Sequence, residues 1–308
     1  MKYIIAIVAA ALLIGGGVYW YMNSSAESVV VNQDDRSSDD ANMTAEDDSI
    51  ADEGIGDAST DARKTVIGTS VEKRDIVAYH YGTGEKEILM VGGIHGGYEW
   101  NTSLVAYEAM DYLEANPEMV PEDVRVTIIP VLNPDGLASV VGTGDRFVAA
   151  DVSVTLTESI PGRFNANKVD LNRNFECDWQ AAGTWQSKTV SGGTEAFSEP
   201  ESQALRNYVT AHPPTAVVAW YSAAGGVFAS SCHNGVSAET LALTNAYAKA
   251  SGYKAYESFN FYEITGDMVN WFAKQNVPAI SVLLTNHTDI EWNKNKAGID
   301  ALLKYYSN

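Results

Sequence analysis

Positively charged residues are scarce in this chain. Its 308 residues include 20 lysines and arginines against 40 aspartates and glutamates, which gives a formal net charge of −20. Proteins that bind the phosphate backbone of nucleic acids present basic faces, so the charge balance argues against nucleic acid as a partner. Hydrophobic residues, by contrast, make up 45% of the chain, enough for the buried core of an enzyme-sized domain.

Cysteine is rare as well, since the chain contains only Cys177 and Cys232. In an oxidising compartment, an even pair of cysteines is more often a disulfide than two free thiols. Whether the chain reaches such a compartment depends on its N-terminal segment.

Residues 3–22 form an almost unbroken apolar run after Lys2, and about twenty such residues span a bilayer core of roughly 30 Å. The run ends in aromatic residues typical of a membrane interface, and no Ala-x-Ala cleavage site follows it. We therefore expect residues 1–22 to be a retained membrane anchor; a cleaved signal, which would leave a secreted protein, is the alternative. Lys2 on the short side places the body outside the cytoplasm, in a periplasm or at a cell surface.

Residues 23–64 differ sharply in composition from the rest of the chain. They contain twelve acidic and three basic residues and no aromatic residue. Such a segment cannot bury enough apolar surface to offset the entropy of ordering it. The composition predicts an acidic, disordered linker between the anchor and a domain at residues 65–308.

Residues 65–308 alternate between apolar runs typical of buried strands and amphipathic segments typical of helices. Ser198 is expected to cap one of these helices. The alternation predicts a single α/β domain, in which helices flank a mixed, largely parallel twisted sheet. The predicted strands are 87–93, 124–132, 215–221 and 279–284, and the predicted helices are 99–113, 198–211, 238–251, 267–275 and 293–306.

The most informative segment is the string Asp-Leu-Asn-Arg-Asn-Phe at residues 170–175. Arginine has a rigid fork of donors suited to bidentate capture of a carboxylate, and the preceding Asn172 adds an amide donor to that of Arg173. Ten residues upstream, Arg163 opens the run that leads into this string. Two further motifs follow predicted strands, Gly-Gly-Ile-His-Gly-Gly-Tyr-Glu at 92–99 and Val-Leu-Asn-Pro-Asp-Gly at 131–136.

Taken together, these motifs resemble the zinc carboxypeptidase family, the relatives of carboxypeptidase A and of bacterial murein-peptide amidases. The resemblance covers residues 66–308 and implies the family's phosphorylase/hydrolase-like fold and one zinc ion. It implies that His95 and Glu99 are the first two zinc ligands and that Arg163 stabilises the oxyanion of the tetrahedral intermediate. Asn172 and Arg173 then match the pair that holds the free C-terminal carboxylate of the substrate.

Two further positions follow from the same resemblance. Tyr262 matches the mobile tyrosine that covers bound substrate, and Val269 falls at the floor of the specificity pocket. An apolar Val269 favours neutral substrate side chains. Cys177 and Cys232 both fall near the implied site, where a bond between them would pin the carboxylate-binding loop.

The sequence departs from the family pattern at the positions of the zinc ligands. His95 and Glu99 are four positions apart instead of three, a change that a Gly-Gly loop can absorb. The third ligand, a histidine in the family, is replaced by Tyr221. A catalytic zinc ordinarily takes three protein ligands and a water, so the ion is expected to bind weakly unless the Tyr221 phenolate, His233 or His287 substitutes.

The family's general base is missing as well. The matching position is Leu283, or Leu284 by ungapped counting, and neither carries a carboxylate. Four acidic residues remain as substitutes only if the local chain differs from the family: Glu263, Asp267, Asp289 and Glu291.

Three functions follow from the resemblance. The first is a zinc-dependent metallocarboxypeptidase-like hydrolase that removes C-terminal residues from peptides or peptidoglycan stem peptides. The second is a non-catalytic binder of peptide C-terminal carboxylates, and the third is an amidase or deacylase of the same superfamily. We expect the protein to be a monomer in each case.

Overall fold

The computed structural model of this protein describes residues 63–307. The predicted anchor at 1–22 and nearly all of the predicted linker at 23–64 lie outside these residues. Within residues 63–307, none of the helices has the length and hydropathy needed to cross a membrane.

A mixed sheet of eight strands organises the domain, in the order β1-β2-β4-β3-β7-β10-β8-β9. Its four central strands, β4, β3, β7 and β10, run parallel to one another, whereas β2 and β8 pair with them antiparallel. Strands β5 and β6 form a separate hairpin. The ten strands within residues 63–307 are β1 (Lys64–Thr69), β2 (Asp75–Tyr81), β3 (Lys86–Val91), β4 (Val124–Ile129), β5 (Ala182–Trp185), β6 (Lys188–Ser191), β7 (Ala216–Ser222), β8 (Gly226–Ala229), β9 (Lys254–Tyr256) and β10 (Ala279–Leu284).

Helices cover both faces of the main sheet, with an apolar cluster under each layer. Successive side chains of a strand point to opposite faces, so Trp220 joins one cluster and its neighbour Tyr221 joins the other. The seven α-helices within the described residues are α1 (Trp100–Ala115), α2 (Pro134–Val141), α3 (Leu156–Ser159), α4 (Pro200–Ala211), α5 (Ala238–Ser251), α6 (Met268–Lys274) and α7 (Trp292–Tyr306).

The predicted α/β class and the mixed, largely parallel sheet are confirmed. All four predicted strands and all five predicted helices are present, with ends shifted by a few residues. The Ser198 cap is wrong, because Glu199 occupies the N-cap position of α4. The Ser198 hydroxyl instead donates to Glu199 Oε1 and accepts from Asn174 Nδ2.

The functional motifs follow strands that run parallel to one another. Residues 92–99 follow β3, Tyr221 and Ser222 end β7, and His287 lies just after β10. The carboxyl ends of parallel strands meet at one edge of a sheet, where ligands of open α/β folds bind. The topology therefore brings these residues to a common edge.

Candidate functional site

A cleft of about 460 Å³ opens at this edge of the sheet. Most of the predicted site residues line it. These are His95, Glu99, Arg163, Asn172, Tyr262 and Val269, together with the two positions that depart from the family pattern, Tyr221 and Leu283.

A short 3₁₀ turn, Gly96–Glu99, brings the predicted metal ligands together despite their longer spacing. Gly96 adopts a φ of +43°, and a Cβ at this position would lie 2.6 Å from the Gly162 oxygen, so a larger residue would not fit. His95 Nδ1 then lies 3.0 Å from Glu99 Oε1, and the Ser222 N–H donates to Glu99 Oε2. That both side chains reach one metal ion stays a prediction.

Both ring nitrogens of His95 are buried, and neither forms a hydrogen bond within the described residues. Nδ1 lies 3.0 Å from Glu99 Oε1, and Nε2 lies 3.4 Å from Asp170 Oδ1. A histidine that binds a metal commonly turns its other ring nitrogen towards a carboxylate. This pair of approaches is therefore consistent with a metal ligand.

Arg163 connects the two carboxylates of this corner. Its Nε donates to Asp170 Oδ2 at 2.9 Å, and its Nη1 lies 3.5 Å from Glu99 Oε1. The Nη groups form no hydrogen bond within the described residues, so they remain available to an anion in the cleft. The guanidinium is stacked 4.4 Å from the centre of the Trp185 ring.

Charge pairing decides the ionisation of this corner. Burial opposes ionisation of Glu99, but His95 and Arg163 outweigh it and hold the pKa of Glu99 below its usual value. Asp170 is also fully buried, and Arg163 and His95 again hold its pKa far below the ordinary range. Both carboxylates are therefore ionised at neutral pH.

The side chain of Asn172 is held by three hydrogen bonds. Its Nδ2 donates to Asp267 Oδ2 at 2.8 Å, and its Oδ1 accepts from the Met268 N–H and, at 3.3 Å, from the Tyr221 hydroxyl. Burial, and then the charges of Asp267 and Glu99, raise the pKa of Tyr221 well above its usual value. The phenol therefore stays protonated and serves as a donor to Asn172.

Arg173 lies behind the cleft wall, buried beneath Tyr262, and is not among the lining residues. Its Nε and Nη2 donate to the Thr184 carbonyl at 3.1 and 2.7 Å, and Nη1 donates to the Asn172 carbonyl at 2.6 Å. The structure thus brings Asn172, but not the Arg173 guanidinium, to the surface of the cleft. The clamp formed by both residues stays a prediction.

The two altered positions face each other on adjoining strands. The parallel register of β10 and β7 pairs Leu283 directly with Tyr221, and both side chains line the cleft. Leu284 points to the opposite face and belongs to the core cluster on that side. Of the two candidates for the general-base position, Leu283 therefore faces the cleft, and its side chain carries no proton-accepting atom.

Most of the acidic residues that could replace the general base lie outside the cleft. Glu263, Asp289 and Glu291 do not line the cleft, whereas Asp267 does. Asp267 caps α6 through the Asn270 N–H and accepts from Asn172, and burial raises its pKa. Its side chain therefore already has two structural partners.

The two histidines that could replace the third zinc ligand differ in their position relative to the cleft. His233 is mostly exposed, pairs with Asp178 and does not line the cleft. His287 lines the cleft, packs against Tyr98 at 4.7 Å between ring centres, and has a buried Nδ1 that forms no hydrogen bond with any residue of the described range 63–307. Burial, only partly opposed by the charge of Glu99, lowers the pKa of His287, which favours its neutral form.

The residues of the cleft fit a family-type zinc centre only in part. His95 and Glu99 have the right atoms, burial and mutual approach. The third position holds a protonated phenol that is bonded to Asn172. A catalytic zinc ordinarily takes three protein ligands, so the described residues at the three family positions do not provide the complete set.

Aromatic residues form much of the remaining wall. Phe259, Phe261 and Tyr262 lie between β9 and α6, with ring centres about 5 Å apart within the group, and Val269 lies among the lining residues. Tyr262 also packs against the cluster formed by Trp185 and Tyr98, whose ring centres lie 5.1 Å apart. The cleft therefore combines a charged inner corner with an apolar outer wall.

A disulfide joins Cys177 to Cys232, with Cα atoms 6.1 Å apart. Cys177 follows the Asn172–Arg173 segment, and Cys232 lies next to Ser231, which lines the cleft. The bond thus connects two loops of the site, as the sequence predicts.

Comparison with known proteins agrees with this architecture. A family model described as "Zinc carboxypeptidase" matches residues 56–296. The chain therefore belongs to the zinc carboxypeptidase family. It is 27% identical over 187 residues to carboxypeptidase Z of Rattus norvegicus, a match that covers 56% of this chain and 27% of that protein. It is 33% identical over 122 residues to the carboxypeptidase N catalytic chain of Homo sapiens, covering 35% of this chain and 25% of that one.

Among solved structures, the fold is similar to murein-tripeptide amidase MpaA from Escherichia coli O157. That match has a TM-score of 0.56 and 19% identity, and covers 78% of this chain and 90% of the other. Carboxypeptidase A from Helicoverpa armigera matches with a TM-score of 0.59 and 19% identity, over 80% of this chain and 69% of the other. The chain spans only about a quarter of the length of carboxypeptidase Z or of the carboxypeptidase N catalytic chain.

Trp185 and Tyr98 contribute to the site but were not singled out in the sequence. Both pack against the guanidinium of Arg163. In β5 the buried Gly183 and Trp185 alternate with the exposed Ala182 and the half-buried Thr184. A four-residue strand is too short for such a pattern to stand out.

Proposed function

We propose that this domain binds the C-terminal carboxylate of a peptide in its cleft and does not hydrolyse the peptide by the family's mechanism. The observation that carries this proposal is the pairing of Tyr221 with Leu283 at the cleft surface. Hydrolysis of a peptide bond requires a base that takes a proton from the attacking water. Leu283 cannot accept a proton, and Asp267 is already bound to Asn172 and to the cap of α6.

Arg163 supports the binding half of the proposal. Its Nη groups lie at the cleft without hydrogen-bond partners among the described residues, and a guanidinium binds a carboxylate through two parallel N–H bonds. Asn172 lies in the same cleft and keeps one amide hydrogen beyond the one that it donates to Asp267. A peptide C-terminus is a ligand that this inner corner can recognise.

The outer wall supports a neutral side chain at the end of the bound peptide. Val269, Phe259 and Tyr262 line it and offer no charge to a basic or acidic side chain. A stem peptide of peptidoglycan fits the extracytoplasmic location and N-terminal membrane anchor expected from residues 1–22. The monomeric state, the location and the ligand are all parts of this proposal.

Calorimetric titration of the full-length chain tests the proposal. The ligands are pairs of peptides that are identical in sequence but end in a free carboxylate or a carboxamide. We expect saturable binding of the free acids, weak binding of the amides, and recovery of intact peptide by mass spectrometry. Equal affinity for both forms, or release of the terminal residue, would overturn the proposal.

A zinc-dependent carboxypeptidase-like hydrolase is the second candidate, and one observation favours it. The buried nitrogens of His95 have no hydrogen bonds within the described residues, and Nδ1 faces Glu99. His287, with its own unbonded Nδ1, is a further imidazole in the same cleft. Stoichiometric zinc in the purified chain, together with release of C-terminal residues from a peptide library, would select this candidate over the binder.

A further inference from the structure

A second group of metal-binding residue types lies outside the cleft. Cys177, Asp178, Cys232 and His233 each offer one ligand atom, and these four atoms all lie within 4.8 Å of one another. The two sulfurs form the disulfide, and His233 Nε2 lies 3.3 Å from Asp178 Oδ1. The group thus consists of two sulfurs flanked by an imidazole and a carboxylate.

The two flanking residues are held beside the sulfurs by their backbone. Asp178 and His233 each directly follow a cysteine, and both adopt left-handed backbone angles, with φ of 52° and 61°. Such angles are uncommon for residues other than glycine, and they persist where the surrounding structure imposes them. Asp178 Oδ2 lies 3.7 Å from Cys177 Sγ as a result.

Two thiolates, one imidazole and one carboxylate make a closed tetrahedral set for Zn²⁺. The cysteine side chains are buried, whereas Asp178 and His233 are more than half exposed, so an ion can approach from their side. The disulfide alone prevents this set from binding, because bonded sulfurs are not thiolates.

We propose that reduction of the Cys177–Cys232 bond converts this group into a zinc site. A dithiol reductant supplies two electrons and two protons and leaves as its own disulfide, while Cys177 and Cys232 become thiols. Zn²⁺ then displaces the two thiol protons and is held by both sulfurs, His233 and Asp178. This site is separate from the cleft and does not depend on the proposed peptide ligand.

The group of Cys177, Asp178, Cys232 and His233 has a structural role in either redox state. The Cys177 carbonyl accepts from the Gly266 N–H, which ties its segment to the loop that carries Tyr262. Ser231, next to Cys232, lines the cleft and donates its N–H to Asn270. The disulfide and the ion would each hold these loops of the cleft together.

Cobalt titration of the full-length chain tests the proposal, because only sulfur ligands give intense thiolate-to-cobalt charge-transfer absorption. We expect this band to be absent from the oxidised chain. After phosphine reduction, its absorbance should saturate at one equivalent of cobalt per chain, and it should vanish when Zn²⁺ is added. Cys177→Ser is expected to abolish the band. Glu99→Gln, at the cleft, is expected to leave it unchanged.

The exposed positions provide variants that keep the disulfide. His233→Asn and Asp178→Asn are each expected to weaken cobalt binding by about 10- to 100-fold, the range found even for outer-shell partners of metal ligands. His212→Asn, a histidine of a different surface pocket, is the matched control and should have no effect. Two titratable thiols without the absorption band, or unchanged affinity in both variants, would overturn the proposal.

Discussion

The guanidinium of Arg163 lies over the Trp185 ring, with Cζ 4.4 Å from the ring centre. Nε of the same guanidinium donates a hydrogen bond to Asp170. Arg163 is therefore fixed between an aromatic face and a buried carboxylate, and its remaining N–H groups are presented to the cleft. In the proposed function, this arrangement makes Arg163 the preorganised group that binds the peptide carboxylate.

Arg163→Gln is expected to remove most of the binding of free-acid peptides. A hydrogen bond to a charged group contributes about 1.5–3 kcal/mol, which corresponds to a loss of affinity of roughly 10- to 100-fold. The matched control is Arg146→Gln, because Arg146 also lies over an aromatic ring, that of Tyr107, and pairs with a carboxylate away from the cleft. Calorimetry with both variants measures the difference, and equal affinities would refute the assignment.

Trp185→Leu tests whether the stacked ring positions Arg163. The cation–π contact contributes about 0.5–2 kcal/mol, so we expect a loss of affinity of about two- to thirty-fold for free-acid peptides and no change for amidated ones. Trp292→Leu is the control, since Trp292 packs on Tyr112 on another part of the domain. A general weakening of both ligand types would indicate a packing defect instead of a positioning role.

Tyr221→His and Leu283→Glu test whether only these two positions separate the domain from a hydrolase. Tyr221→His alone should raise zinc affinity by about 10-fold or more, as measured by competition with a chromogenic chelator. Hydrolytic release of C-terminal residues is expected only when Tyr221→His and Leu283→Glu are combined. The carboxylate introduced by Leu283→Glu would then supply the base. Leu283→Gln in the Tyr221→His background has the same shape without the base, and turnover there would contradict the interpretation.

The sequence predicts the sheet and most of the cleft because these depend on strong local patterns. The buried strands are continuous apolar runs, and their order places His95, Tyr221 and Leu283 at one edge of the sheet. The sequence alone does not decide which of Leu283 and Leu284 faces the cleft, since a shift of one residue reverses the face of a strand. The register of β10 with β7 decides it.

Sequence patterns do not predict the hydrogen-bond partners of the Arg173 side chain. Its side chain donates to the Thr184 carbonyl, and that carbonyl belongs to the β5–β6 hairpin, whose strands have four residues each. Neither strand is long enough to produce a clear periodicity. The backbone acceptor that occupies the guanidinium therefore appears only once the hairpin is placed in three dimensions.

Reduction of the disulfide is expected to lower the free energy of unfolding. The bond closes a loop with a sequence separation of 55, and a native disulfide of this kind typically contributes about 2–5 kcal/mol. Denaturant unfolding with and without a phosphine reductant, in the presence of a metal chelator, measures the effect. Cys177→Ala combined with Cys232→Ala should show no response to the reductant, and a response in that variant would point to another cause.

Acid is expected to destabilise the domain through Asp170. Burial opposes ionisation of Asp170, but Arg163 and His95 outweigh it, so the pKa of this carboxyl in the folded state lies below its ordinary value of 3.8. A carboxyl with a depressed pKa stabilises the fold fully above its unfolded pKa, and this contribution is lost as the pH falls below that value. The free energy of unfolding should therefore fall steeply below about pH 4.

Asp170→Asn isolates this contribution. Removing one partner of a buried ion pair costs about 3–5 kcal/mol, so the variant should be much less stable at neutral pH and should lose less stability between neutral pH and pH 3. Asp111→Asn, which breaks an exposed pair with Arg146, should change stability by less than about 1 kcal/mol. Chelator-treated protein is unfolded in urea at a series of pH values. Parallel pH profiles for the wild type and Asp170→Asn would show that the acid sensitivity arises elsewhere, because the shifted pKa of Asp170 predicts that the two curves converge as the pH falls.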